Sequence, residues 1–470
     1  MEAMTGRTVT TASAPSETET GYTEHLVSEV SKISSRKLTE RVIERTRHAV
    51  LDWLGVSIAG AQEPSARAIQ QLLTAEGGSP TAQVIGTPHR LTARQAALAG
   101  GVAAHALDYD DMSIGGHPSA VVLPAVFALA EELDKDGPTT IQGMLAGYEA
   151  RKMVAAACGN ASYDRGYHGS STFGAFGAAM GAGRLLELDP PRLRHALGIA
   201  GTQASGLRAS FGTMSKHLNV GNAAAVGILS ARLAEAGYTG DTTILEAPQG
   251  FAATHNNGPA DFNPTGPGTS LRQRLAVEWL VFKPHALCGA THSAIDGFQF
   301  LREQHAFSAD DVDEAEVFVS AQHLEVCDIA EPRTSVEGMF SIRYGAALAL
   351  AGTATGPSAL TDERIQDPAM VALRGRVRVT PVTHVRNITM PTEVRVRLTN
   401  GEELQARVNA LAVKPDNELP RQWETLTAKF AGLVGPILGA DRADEIIGLV
   451  QRIETLGSIR ELTDRTSAER

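Results

Sequence analysis

Residues 105–120 read HALDYDDMSIGGHPSA, between the apolar stretches GGVAA at 100–104 and VVLPAVFALAEEL at 121–133. The flanks carry helical signals. Gly115, Gly116 and Pro118 break the helical pattern between them, because proline has no N–H to give and clashes with the preceding turn. The expected arrangement is therefore helix, loop, helix, with His105, Asp108, Asp110, Asp111 and His117 in and around the loop. Enclosing a charged group costs several kcal/mol, roughly, unless a partner or ligand compensates it. Five ionisable groups in so apolar a setting mark one wall of an active site, although Asp110 and Asp111 have a second reading as helix caps.

Outward from this stretch the chain stays alanine-rich and helical. Val42, Ile43, Ala49, Val50, Trp53 and Leu54 recur at helical spacing behind Thr39, a capping residue. Residues 65–77 and 92–107 continue the pattern, with a short β-like piece at 81–86, and 140–159 form another long helix. In 164–189, Gly174, Gly177, Ala178 and Gly181 share one helix face, where small side chains let a neighbouring backbone come close. No strand precedes these glycines, so they are not a dinucleotide fingerprint. His168 stands just ahead of that helix. Lys216 and His217 lead into an apolar helix within 205–235, with Asn219 and Asn222 adding polar groups. A lysine there can hold a carboxylate or serve as a base.

Beyond a Pro/Gly-rich boundary at 260–275 strand signals appear: the short apolar run 277–285, a β-like 314–321, and 392–408, where Val394, Val396 and Leu398 alternate with Arg395 and Arg397. Asn400-Gly401 predicts a type I′ hairpin. Helices at 289–304, with His292 near its start, and 336–351, with Arg343 and Tyr344, complete an α+β unit. The expected organisation is a leader at 1–23, a helical domain over 24–270, an α+β domain over 275–412, and helices over 413–470 that return to the first domain.

Composition bounds the function. The 470 residues are 43% apolar and carry a net charge of −11 without a basic patch, which excludes a nucleic-acid footprint. No apolar run reaches the roughly 20 residues that span a bilayer. The leader has no apolar core for a signal peptide, and Glu2, Glu17 and Glu19 are foreign to a transit peptide. Cys158, Cys288 and Cys327 form no CxxC pair. A soluble, cytoplasmic protein with neither membrane nor nucleic-acid partner is the expectation.

Five ordered motifs then carry a resemblance: HALDYDD with HPSAVVLPAVFALAEEL; GYHGSSTFGAFGAAMGAGRLLELD; GLRASFGTMSKHLNVGNAAAVG with GYTGDTTILEAPQGF; FKPHALCGATHSAID; and MFSIRY. Over about residues 25–460 the chain resembles the MmgE/PrpD family, which includes 2-methylcitrate dehydratase, cis-aconitate decarboxylase and iminodisuccinate epimerase. The resemblance implies a mostly α protein, a large all-helical domain joined to a smaller α+β lid domain, assembled as a homodimer with the site between the domains. It implies active-site positions at Asp108, His117, His168, Lys216, His292 and Tyr344; Arg343, next to Tyr344, joins Lys216 and His292 as a substrate-binding candidate. The sequence itself carries no cofactor motif and no metal-site pattern, so neither a cofactor nor a metal is expected. Family members commonly carry a threonine where this chain has Met112, a lysine at Met339 and a basic residue at Asn222, which points to a substrate with fewer or differently placed carboxylates.

Chemistry next to a carboxylate needs a base, cations for the developing charge, and an acid. Lys216 and His292 are expected to bind carboxylate, His117 with Asp108 to form the acid/base pair, and Tyr344 and His168 to donate or orient protons. The reading is a cofactor-independent hydro-lyase on a small di- or tricarboxylic acid, with decarboxylase and epimerase as alternatives. A metallohydrolase using His105, Asp108, Asp110, Asp111 and His117 is a rival without an HExxH or EF-hand pattern. A helical scaffold without turnover is the other, since fold alone does not give function.

Overall fold

The computed structural model describes residues 21–35, 38–159, 161–256, 262, 274–382 and 391–468. Leader residues 1–20 and most of the expected 260–275 boundary lie outside these. Helix α1 begins at Tyr22 (Tyr22–Ser31), so the last positions assigned to the leader are helical. α2 (Glu40–Gly60) starts where expected, Thr39 accepting from the Val42 N–H. α3 (Pro64–Glu76), α4 (Ala93–Ala106), α5 (Ser119–Glu132), α6 (Gly137–Cys158), α7 (Gly169–Leu185), α8 (Pro190–Gln203) and α9 (Ser215–Glu235) follow.

Small residues set how closely these helices pack. α7 lies against α6 and α9, and α9 against α4. A Cβ at Gly177 would stand 2.8 Å from the Gly147 carbonyl oxygen on α6, and one at Gly181 3.0 Å from that of Gly143. Gly101 of α4 and Gly221 of α9 meet likewise, a Cβ on the first falling 2.7 Å from the Cα of the second. Backbones so close exclude water from the helical core.

The second unit holds a four-stranded mixed sheet in the order β4-β3-β5-β6, from β3 (Val312–Ser320), β4 (Val377–Val382), β5 (Thr392–Leu398) and β6 (Glu403–Val408), after a two-stranded β1 (Ala82–Gln83) and β2 (Arg90–Leu91) in the first unit. Only β3 and β4 pair in parallel. α10 (Gly289–His305) packs on β5 and β6, and α11 (Ile342–Ala351) on α10. α12 (Pro368–Gly375) runs into β4. The β5–β6 turn differs from the expected type I′. Gly401 has φ 89°, but Asn400 is not among the residues with positive φ, and the Gly401 N–H donates to the Leu398 carbonyl while the Leu398 N–H reaches Glu402. This three-residue connection, a turn closed by a left-handed glycine, needs only one residue at positive φ. The run 277–285 is no strand beyond a single bridge at Val281.

The protein is thus mostly α with a smaller α+β part. α13 (Leu419–Leu438) and α14 (Ala440–Val450) return to the helical unit, Phe430 of α13 pressing on Gly55 of α2. Two large apolar cores form among the described residues, beside a small cluster of Ala61, Ala66, Val102 and Ala103, and Leu107 and Tyr109 of the helical unit belong to the core of the α+β unit. The chain between α4 and α5 therefore sits where the two units meet. Met112 and Val281 exchange both backbone hydrogen bonds there, each 2.8 Å.

Candidate active site

α4 begins with a Thr92/Gln95 capping box and ends at Ala106. Asp108, just beyond, takes φ 46°, a left-handed conformation that aspartate tolerates better than most side chains. This turn brings its carboxylate under two ammonium groups. Lys216 Nζ, from the first turn of α9, lies 2.9 Å from Asp108 Oδ1. Lys283 Nζ lies 3.0 Å from the same oxygen and donates to the Asp108 carbonyl at 2.6 Å. Burial by itself would raise the Asp108 carboxyl, but the two lysines outweigh it and hold the group well below the carboxylate range.

Asp110 is the second anion. His105 Nδ1 donates to both of its oxygens, at 3.1 and 3.0 Å, and His117 Nδ1 lies 3.0 Å from Oδ2. His117 Nε2 is 3.9 Å from Asp108 Oδ1, so the imidazole stands between two carboxylates. Its shorter contact is with Asp110 rather than with Asp108, the partner expected from the sequence. Burial pushes His105 down to about 4, so it is a neutral donor at pH 7. Burial and the neighbouring His105 and Lys216 hold His168 well below its usual range. Asn219 Nδ2 approaches His168 Nδ1 at 3.4 Å. An amide nitrogen can only donate, which leaves the His168 proton on Nε2. Asp111 behaves as the capping alternative predicted: it accepts from the Ser119 N–H at 3.2 Å at the start of α5 and from the Ser119 hydroxyl. Burial pushes it up to about 8.

A cavity of about 670 Å³ opens over this cluster. Asp108, Met112, His117, His168 and Lys216 line it from the helical unit; Cys288, Gly289, Phe340 and Asn409 line it from the α+β unit. Phe211 and Phe340 place their rings 5.6 and 5.1 Å from Lys216 Nζ, an apolar wall around the cation. α7, α9 and α10 each direct their N-terminal turn at the cavity, through Gly169, Lys216 and Gly289. Helix N-termini carry partial positive charge, so three together favour an anion; at α9 the Lys216 and His217 N–H groups already donate to the Thr213 and Met214 carbonyls, and the Lys216 ammonium is the cation it offers.

The sequence candidates therefore divide. Asp108, His117, His168 and Lys216 come together around the cavity. His292 is fully buried with Nε2 3.0 Å from the Leu287 carbonyl and its ring 5.0 Å from that of His285. Tyr344 is also buried, donating to the Ala359 carbonyl, and Arg343 is half-buried beside it; none of the three is among the residues lining the cavity. Of the family-variant positions Met112 lines the cavity, Met339 is buried in the α+β core and Asn222 is exposed. Sequence reading missed Lys283, whose signal was a lysine inside the apolar run VEWLVFKPH, and Cys288.

His105, Asp108, Asp110 and His117 offer ligand atoms within 4.8 Å of one another, which is the metallohydrolase reading in geometric form. The charge balance opposes it. Asp108 already faces two ammonium groups and Asp110 two imidazoles, so a divalent cation would meet Lys216 and Lys283 at close range.

Residues 24–263 match the MmgE/PrpD N-terminal domain and residues 285–455 the MmgE/PrpD C-terminal domain. The chain is 27% identical over 485 residues to a cis-aconitate decarboxylase of Aspergillus terreus, covering 97% of this chain and 98% of that one. It is 26% identical over 458 residues to the cis-aconitate decarboxylase of Mus musculus, covering 94% and 92%, and 27% identical over 457 residues to that of Homo sapiens, covering 94% and 93%.

Proposed function

The chain belongs to the MmgE/PrpD family, and on that premise we propose that it is a cofactor-independent lyase that moves a proton next to a carboxylate of a small di- or tricarboxylic acid. The observation that carries the reading is the convergence of three helix N-termini and the Lys216 ammonium on one cavity that also holds His117. An anion is drawn to that end of the cavity, and His117, held between Asp110 and Asp108, stands beside it as the proton-transfer group. Lys216 stabilises the negative charge that gathers on the enolate-like carboxylate in the transition state. His168, neutral with its proton on Nε2, is the hydrogen-bond donor across the cavity.

Decarboxylation is the first form of this reaction, in keeping with the named activity of the relatives. The wall of Met112, Phe211 and Phe340 favours it physically, since a carboxylate beside apolar groups gains on becoming neutral carbon dioxide. Carbon dioxide leaves, its electron pair stays on the substrate as an enolate or allylic carbanion, and His117 returns a proton to carbon. Loss of water, the hydro-lyase expected from the sequence, is the second form, favoured by His168 as a donor for a departing hydroxyl. Incubation with cis-aconitate, citrate, 2-methylcitrate and amino-dicarboxylates, followed by proton NMR and carbon dioxide release, separates them. Carbon dioxide with a shortened acid selects the decarboxylase; an unsaturated acid without carbon dioxide selects the hydro-lyase; inversion without either selects an epimerase. A folded protein that changes none of these acids is not the lyase proposed.

A further inference from the structure

One lysine outside the cavity's lining touches two segments that border it. Lys429, on α13, buries its side chain and points Nζ at three oxygens: Asp52 Oδ1 at 2.7 Å, the Tyr109 carbonyl at 2.8 Å and the Lys283 carbonyl at 3.2 Å. The ammonium also sits 3.6 Å from the centre of the Tyr109 ring. Tyr109 follows Asp108, the residue in the left-handed turn, and Lys283 is the residue whose side chain grips Asp108. The Tyr109 hydroxyl donates to the Pro284 carbonyl at 2.9 Å, binding the same two segments a second time. We propose that Lys429 is a positioning residue: its ammonium staples the 108–109 turn to the 283–284 segment and so fixes Asp108 and Lys283 relative to Lys216.

The inference rests on the lyase reading for the part the staple plays in turnover, and on the geometry alone for the staple itself. Three hydrogen bonds, one of them to the Asp52 carboxylate, consume the three donors of one ammonium, leaving none for a ligand. Lys429 is not among the residues lining the cavity, so it acts through the residues it holds. A misplacement of about 1 Å in a reacting group is enough to cost on the order of a hundredfold in rate. Loss of the staple should therefore lower kcat, through Asp108 and its neighbours Lys216 and His117, and leave substrate affinity near its original value, because the N-termini of α7 and α9 lie outside the two stapled segments.

Two variants test this. Lys429→Met removes the staple but strands the buried Asp52 carboxylate; Asp52→Asn combined with Lys429→Met removes both charges and guards against a variant that fails to fold. For each folded variant, kcat and KM are measured on the acid that the wild type turns over, and hydrogen exchange by mass spectrometry is followed in peptides covering 105–112 and 281–286. The expected result is a kcat lower by about a hundredfold, a KM within about threefold, and faster exchange in both segments. A folded variant with kcat within threefold of wild type, or with exchange unchanged in both segments, overturns the proposal. If the wild type turns over no carboxylic acid, the lyase reading fails by itself, and the exchange measurement still decides whether Lys429 holds these segments.

Discussion

Asp108 shows why residue chemistry here depends on partners more than on identity. Two buried carboxylates, Asp108 and Asp111, lie three positions apart and are driven in opposite directions, the first down by Lys216 and Lys283 and the second up to about 8 by burial and nearby Asp52. The cations that make the difference come from positions 216 and 283, far along the chain. Lys216→Ala removes a charge-assisted contact, typically worth about 1.5 to 3 kcal/mol, so kcat/KM should fall by roughly tenfold to a hundredfold. Steady-state kinetics on the turned-over acid checks this, and a loss smaller than threefold would take Lys216 out of the site. Of the four candidates that line the cavity, Asp108, His117 and Lys216 stood out because polar groups interrupt apolar helical stretches there, whereas His168 entered through the family resemblance. The orientation of His292 was not legible. Its place in the first turn of α10 is as expected, but the direction of its ring is set by the Leu287 carbonyl and His285, while Cys288 and Gly289 face the cavity instead.

At the scale of the element, the glycine face of α7 reads as intended from sequence: another backbone comes close at Gly177 and Gly181. The partner could not be read, because nothing in 164–189 says that α6 answers with its own Gly143 and Gly147. Gly177→Val adds a branched side chain where a Cβ alone would come within 2.8 Å of the Gly147 carbonyl. Overpacking of this kind costs about 1 to 3 kcal/mol. The melting temperature of Gly177→Val should therefore fall, whereas the same change at Gly432 on α13, where a Cβ meets nothing, should leave it near the wild-type value. The hairpin after β5 was legible as a hairpin but not as a turn type, since Asn-Gly satisfies both a two-residue turn and the observed three-residue one.

At the scale of the whole molecule, burial of histidines sets the acid limit of the fold. Burial lowers His48 and His105 to about 4 and His217 to about 3, and holds His168 and His292 well below their usual range. Unfolding returns each to about 6.5. The unfolded chain thus binds more protons between these values, so their stabilising contribution is complete above pH 6.5 and is lost as pH falls through the folded values. Asp111, raised to about 8, works in the opposite sense: its contribution is complete below its unfolded value and is lost as pH rises through 8. The five histidines outnumber it, so unfolding near pH 5 should take up roughly four protons through these groups. Calorimetry across pH 4.5 to 7 should find the melting temperature falling as pH falls, and a flat profile would mean that these imidazoles are not buried and neutral.

A mostly α chain with a smaller α+β part was legible from the strand signals after residue 260. What joins the units was not, because Tyr109, Lys283 and Lys429 meet only in three dimensions. The central claim is that His117 moves a proton at a carbon next to a carboxylate held by Lys216 and the helix N-termini. Its most direct test is proton NMR in deuterium oxide with the panel of di- and tricarboxylic acids, for the wild type and for His117→Gln. Deuterium should enter at the carbon next to the carboxylate with the wild type and not with His117→Gln, while calorimetric titration shows the variant still binding the acid. Deuterium entering equally with both proteins, or with neither while both are folded, would contradict it.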